Sequence, residues 1–224
     1  MSQFATLDNH RIISGNICIP YYGLWCGDVV LASPASLPKT TILSIANLNM
    51  QCAIFRSASF SGSRSARIIG GFGGWRNEVK SQASSNNNGI RISTILGDVA
   101  ATVGEQVKIK TDSVIGTTYV RDKGPASRVL RQILDEAWWI DTNGVIQTTD
   151  RTDSSLITSQ FTVDSWTGSK GSFIVATEDI KSWLPGRTFV SPTVTIKQQI
   201  SQTIIDVDNN GKLRLNVLSV GPHG

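Results

Sequence analysis

Between two stretches that alternate like β-strands, one segment changes period. Ile92, Ile95, Leu96, Val99, Ala100 and Val103 fall at i, i+3, i+4, i+7, i+8 and i+11. That spacing is one face of an amphipathic helix, and Gly104 is suited to stop it. A second helical stripe follows Pro125, a residue favoured in a first turn: Ala126, Val129, Leu130, Ile133, Leu134 and Ala137. Between the two stripes, Val107–Lys110 alternates as a strand. Beyond the second lie Trp138, Trp139 and an Asn143-Gly144 pair, the strongest short hairpin signal.

The flanks are strand-patterned. Residues 11–20 hold two β-branched runs around Ser14-Gly15, which reads as a turn. Further strands are expected at 24–31, 41–48, 51–56 and 65–70. The run Ser84–Gly89 predicts a loop and a domain boundary. From 161 the strand pattern returns, with 161–164 and 172–176 flanking a Gly168/Gly171 loop. A Pro185-Gly186 turn and strands at 193–200 and 203–207 follow. A primed turn at Asn209-Asn210-Gly211 then leads into 213–218. Turn signals every eight to twelve residues indicate a barrel or sandwich. The expected organisation is mainly β with an α/β insert: residues 1–89 a β-barrel domain, 90–152 a central α/β domain, and 153–224 a second β-barrel domain.

A chain of 224 residues with 40% hydrophobic and 17% charged residues can bury a core without disulfides. No apolar run approaches the length that spans a bilayer, and the first ten residues lack a signal-peptide pattern. Membrane insertion is therefore not expected. The net charge of +4 is concentrated early: residues 1–100 carry eight Lys/Arg against four Asp/Glu. Arg56, Arg64, Arg67 and Arg76 form a candidate basic surface, read mainly as spaced charges on solvent faces of strands. Cys18, Cys26 and Cys52 show no CxxC spacing, and the only histidines are His10 and His223. No metal site is expected. Cys18 and Cys26 could join only if their strands paired, and free thiols are the expected state.

Catalytic patterns fail one by one. Gly70-Gly71-Phe72-Gly73-Gly74-Trp75 is not followed by the Lys-Ser/Thr of a phosphate loop, and no dinucleotide fingerprint exists. Its glycines are read as allowing a bulge or a close backbone approach. Two histidines near the chain ends and no nucleophile elbow argue against a triad. Asp135-Glu136 and Glu178-Asp179 read as solvated or capping charges. Asp206–Gly211 opens like a calcium loop, but its twelfth position is Val217. No enzyme and no cofactor are expected. Phe72, Trp75 and Trp139 are candidate assembly contacts. Of Trp138 and Trp139, one is expected in the core.

The order of elements across 92–151 resembles the central α/β region of baseplate hub proteins from contractile-tailed bacteriophages and related injection machines. The segment from Ile92 through Val107–Ile109 and Ser127–Leu134 to Trp138-Trp139 and Asn143-Gly144 carries the likeness. Leu184-Pro185-Gly186-Arg187-Thr188-Phe189 and the closing hairpin also resemble that family's second barrel. The resemblance implies two tail-tube-like β-barrels around the insert. It implies a homotrimer whose six barrels mimic a six-fold ring, joining the tail tube protein to a central spike protein among baseplate wedge proteins. DNA could pass through the lumen. It implies a virion location, with assembly in the host cytoplasm, and it transfers no catalytic residue. A carbohydrate- or receptor-binding β-module of a tail tip, stacking ligands on Trp75, Trp138 or Trp166, is the competing expectation.

Overall fold

The structure is a computed structural model, and it describes residues 5–151, 155–168, 171–191, 194–210 and 212–220. Six strands come first: β1 (Ala5–Leu7), β2 (His10–Pro20), β3 (Cys26–Leu31), β4 (Thr40–Ile45), β5 (Leu48–Phe60) and β6 (Ser63–Gly70). They run in the order β1-β4-β5-β6-β3-β2, and β1 also pairs with β2. The β1–β2 pair at His10 and Arg11 closes the ring, and the rest of that edge of β2, from Gly15 to Pro20, is taken by a later strand. Period-2 alternation decides which side chains enter the ring. Leu7, Ile12, Ile17, Leu31, Leu43, Ile45, Leu48 and Met50 fill the interior. Ser14-Gly15, expected to turn, lies inside β2 at a register shift between Ile12 and Ser14. The shift is a bulge in one continuous strand.

The insert follows. β7 (Glu78–Val79), β8 (Gln82–Arg91), α1 (Ile92–Val103), β9 (Val107–Lys108), β10 (Val114–Arg121), β11 (Gly124–Pro125), α2 (Ala126–Leu134), β12 (Trp139–Ile140) and β13 (Ile146–Gln147) make it up. Helix α1 covers the residues its period indicated, and Gly104 caps it at φ 71°. Helix α2 ends at Leu134, one turn before the apolar stripe does, because Asp135 turns to φ 54°. The Ser84–Gly89 run is not a loop. It is the middle of β8, which pairs antiparallel with β10 through two register shifts. Its polar, small side chains fit because that ribbon is largely exposed. Periodicity of burial could not reveal a strand with no buried face.

The last strands are β14 (Thr162–Thr167), β15 (Ser172–Ala176), β16 (Thr188–Ser191), β17 (Val194–Val207) and β18 (Leu213–Val220). From Val194 on, the two runs expected at 193–200 and 203–207 are one long strand with a register shift between Ile200 and Gln202; Thr193 lies outside the described residues. β17 pairs with β2 from Gln202↔Pro20 to Val207↔Gly15. All eleven outer strands therefore belong to one sheet, ordered β1-β4-β5-β6-β3-β2-β17-β18-β15-β14 with β16 on β17. The second region packs on aromatics: Phe173 and Phe189 meet edge-on at 5.1 Å between centroids, and Trp183 lies 5.2 Å from Phe189. Asn47, in the β4–β5 turn, donates to Asp179 Oδ1 at 2.7 Å and accepts from the Lys181 N–H at 3.1 Å. This polar pair fastens the closed barrel to the second region.

Candidate assembly surface

The glycine loop shows what its composition is for. Gly71 and Gly73 adopt φ of 86° and 84°, and a Cβ on Gly74 would sit 2.0 Å from the Val103 carbonyl oxygen. This close approach turns the loop's N–H groups inward. Gly74 N–H donates to Glu105 Oε1 at 2.5 Å and Phe72 N–H to Oε2 at 3.3 Å. Gly73 and Trp75 N–H groups add to the same cradle. The loop is an anion nest, and the chain's own buried carboxylate fills it. Burial pushes the Glu105 carboxyl above its ordinary range, and the four N–H groups pull it back. Sequence reading missed Glu105. Its one signal was an acid placed directly after the helix-stopping Gly104, opposite no visible base.

The expected aromatic contacts separate. Trp75 is 2% exposed and belongs to the chain's own core, so its indole is not available to a partner. Phe72 is half-buried beside the β4–β5 pair and borders an open groove with Thr41, Gln51 and Asp8. Trp138 enters the core and Trp139 stays half-buried, the division expected of the pair. Trp139 is already occupied, however. Its Nε1–H donates to the Thr149 carbonyl at 2.8 Å, and the Arg151 guanidinium lies 4.2 Å over its ring. Arg151 is buried, and burial lowers its pKa to about 10. Tyr21 and Tyr22 complete the cluster, bonding to the Arg151 carbonyl and the Asp150 carboxylate.

Three of the four arginines lie on the β5–β6 hairpin, and Arg76 reaches its Phe55. Strands β5 and β6 run past the barrel as a hairpin whose β5 arm, from Phe55 to Phe60, is exposed. Arg56 stands opposite Arg67. Arg64 shares the other face with Ser57, to which it donates at 3.1 Å, and it also reaches the Pro34 carbonyl. Arg76 stacks 4.9 Å over Phe55. Phe60, 62% exposed, stands at the tip. Cations are thus interleaved with exposed aromatics on this hairpin, and Arg76 already pairs with one of the rings.

The register extends this polarity across the sheet. Arg56, Arg67, Asp28, Asn16, Asp206 and Arg214 are successive cross-strand neighbours on β5, β6, β3, β2, β17 and β18. At about 4.8 Å per strand the row is roughly 24 Å long. Arg67 pairs with Asp28 at 3.2 Å, and Asn16 donates to Asp206 at 2.6 Å. The row crosses from the barrel into the second region without a break.

Open edges complete the surface. β14 has a partner on one side only among the described residues, and so have both strands of the β8–β10 ribbon. Trp166 on β14 is 47% exposed, and Val114 and Val120 on β10 are exposed as well. Unpaired edges with apolar side chains are templates for another chain. Asp135 and Glu136, which do not lie on the helix, border an open cleft of about 520 Å³ with Tyr22 and Trp138. No group of three or more His, Cys, Asp or Glu side chains is placed to hold a metal ion among the described residues. No described helix is long and apolar enough to cross a membrane. His223 and Gly211 lie outside the described residues.

No protein-family model matches the chain, and no curated protein matches it. Solved structures do match its fold. The E. coli c3393 protein is one: a component of the type VI secretion system, itself described as structurally similar to the T4 bacteriophage tail proteins gp27 and gp5. It aligns over 97% of this chain and 74% of its own at TM-score 0.70 and 9% identity. A tail protein from Neisseria meningitidis aligns over 96% of both chains at TM-score 0.63 and 10% identity. The 43 kDa tail protein of prophage MuSo2 from Shewanella oneidensis aligns over 99% of this chain and 98% of its own, at TM-score 0.58 and 10% identity. The chain thus has a mainly β, tail-protein fold built around a closed six-stranded barrel.

Proposed function

We propose that this chain is a structural protein of a phage-type tail: a baseplate hub that joins the tail tube to a central spike as a homotrimeric ring. One observation carries the reading. A closed barrel and a second strand region are welded into one sheet through β2 and β17, and among the described residues the far edge at β14 is left open. Three such chains around an axis would set six β regions in a circle, and each open edge would meet a neighbour. Closed rings satisfy head-to-tail edges in the way a barrel satisfies its own. The likeness in fold to the tail proteins and to the secretion-system component supports the same reading.

On this reading the parts divide the work. The sheet strands β1–β6 and β14–β18 supply the ring, and the insert from β7 to β13 braces it. The arginine hairpin, carrying Arg56, Arg64, Arg67 and Arg76, meets an acidic face of the tube, the spike or a wedge protein. Phe72 lies in an accessible groove and Trp139 at a braced corner. The chain belongs to the virion baseplate, is assembled in the host cytoplasm, lets DNA pass through the lumen and performs no catalysis.

The test is assembly. Native mass spectrometry and electron microscopy of the purified chain, with and without its tube and spike neighbours, should show a threefold ring. Monomer at every concentration, with every neighbour present, would overturn the proposal. The tail-tip ligand-binding reading rests on one residue, Trp166. Trp75 and Trp138 are buried, while Trp166 is exposed and stacked 6.2 Å from Phe173. Glycan-array binding lost in Trp166→Ala would favour that reading.

A further inference from the structure

Cys18 in β2 and Cys26 in β3 are direct cross-strand partners. Residues directly opposite on an antiparallel pair share a face and hold their Cα atoms about 4.5–5.5 Å apart. That spacing lies inside the roughly 4.4–6.8 Å range a disulfide needs. All three cysteines are free thiols. Cys18 and Cys26 are half-buried, whereas Cys52 is fully buried, and burial pushes its thiol up to about 12. Cys26 is raised as well, by burial first and then by the neighbouring Cys18 sulfur. Gln202 Nε2, on β17, donates to Cys18 Sγ.

We propose that Cys18 and Cys26 are a redox modification site, a dithiol that closes to a cross-strand disulfide by exchange with a low-molecular-weight disulfide. One thiol loses its proton to solvent, and its thiolate attacks a sulfur of the small disulfide. One small thiolate leaves, and a mixed disulfide forms. The second cysteine, deprotonated in turn, attacks the protein sulfur of that mixed disulfide and expels the other small thiolate. Two protein thiols are oxidised, one small disulfide is reduced, and two small thiols are released.

The position gives the bond a consequence. The chain between the two cysteines carries Tyr21, Tyr22 and Gly23. Gly23 exchanges backbone hydrogen bonds with Trp138 and Ile140, and the tyrosines hold Arg151 and Asp150. Closing the disulfide pins the base of the hairpin that docks the insert, on the strand that also joins the two β regions. The proposal does not depend on the assembly reading.

The experiment uses the full native chain. It is incubated with oxidised glutathione, quenched by alkylation, and mapped by intact mass and peptide mass spectrometry. Expected is a mass lower by two hydrogens, a peptide linking Cys18 to Cys26, and Cys52 alkylated only after unfolding. In Cys18→Ser and Cys26→Ser, the remaining thiol should carry a persistent glutathione adduct, because nothing resolves it. Cys52→Ser should behave as the wild type. Two free thiols surviving at 18 and 26, stable glutathione adducts on the wild type, a link to Cys52 or disulfide-linked dimers would each overturn the proposal.

Discussion

The closed barrel and the C-terminal strand region solve the same problem in different ways. In the barrel six strands satisfy one another, and the interior is filled by aliphatic side chains from every strand. In the C-terminal region five strands surround a core led by Phe173, Trp183 and Phe189. Fewer strands deliver fewer inward positions, so each must carry more volume, and aromatics bury about 150–250 Å² apiece. That region also borrows the outer edge of β2 and, among the described residues, leaves one edge of β14 unpaired. Closure makes a unit self-sufficient, whereas an open region is stable only with its neighbour and offers an edge to another.

The largest effects should test whether that dependence is real. Phe189→Ala removes the centre of the aromatic core and should cost about 3–5 kcal/mol. Because β17 is hydrogen-bonded to β2 and Asn47 is bonded to Asp179, urea unfolding should stay one transition at a lower midpoint. Two separated transitions, the barrel surviving the first, would show that the regions fold independently. Trp75→Ala should cost a similar amount, and circular dichroism against urea would register it even where no assembly occurs.

Next in size is the nest. Glu105→Ala strands several buried N–H groups, each costing about 1–3 kcal/mol unless water reaches it. The pH dependence has a definite sign. With the folded pKa raised, the folded chain holds more protons than the unfolded chain between pH 4.5 and the folded value. The Glu105 contribution is full below that window and declines as pH rises through it, so Glu105→Gln should flatten this slope. Asp179 behaves oppositely. Its carboxylate is held below the ordinary 3.8, chiefly by the Ser182 hydroxyl and with help from Asn47. Its stabilisation is present above pH 3.8 and is lost as pH falls through the folded value. Asp179→Asn should therefore lower the urea midpoint modestly at neutral pH, by an amount that shrinks as pH falls below 3.8.

The smallest effect on folding should come from the hairpin. Replacing Arg56, Arg67 and Arg76 together by Ser changes two exposed positions, the half-buried Arg67 and its surface ion pair with Asp28, worth about 0–1 kcal/mol. Stability should hold while sedimentation shows ring formation weakened, most clearly at low salt, where screening is least.

How much could be read beforehand depended on burial. Helix α1 was legible to the residue, because a buried face on a 3.6 period leaves its pattern in the sequence. So was the Asn143-Gly144 turn, where Gly144 sits at φ 83° and the Asp141 side chain accepts from the Asn143 and Val145 N–H groups. The ribbon strand β8 was not legible, since a strand exposed on both faces carries no alternation. Trp75 was misplaced among docking residues because a large aromatic beside glycines looks the same in sequence whether the loop folds inward or out. Of the expected site residues, three arginines share one hairpin with Arg76 over its Phe55, while the aromatics are distributed between core, groove and an internal cation–π pair.

By itself the sequence determined the local choices that burial or a turn imprints: where half-buried strands alternate, where α1 coils, that Gly144 permits a left-handed turn. Each of those is settled within a few residues by backbone sterics and by which side chains avoid water. Only the tertiary structure decided that β17 lies against β2, that the glycine loop encloses Glu105, and that Cys18 faces Cys26. Those are register matches between strands or loops, some of them nearly 200 positions apart, and register is chosen by how whole faces pack rather than by any segment alone.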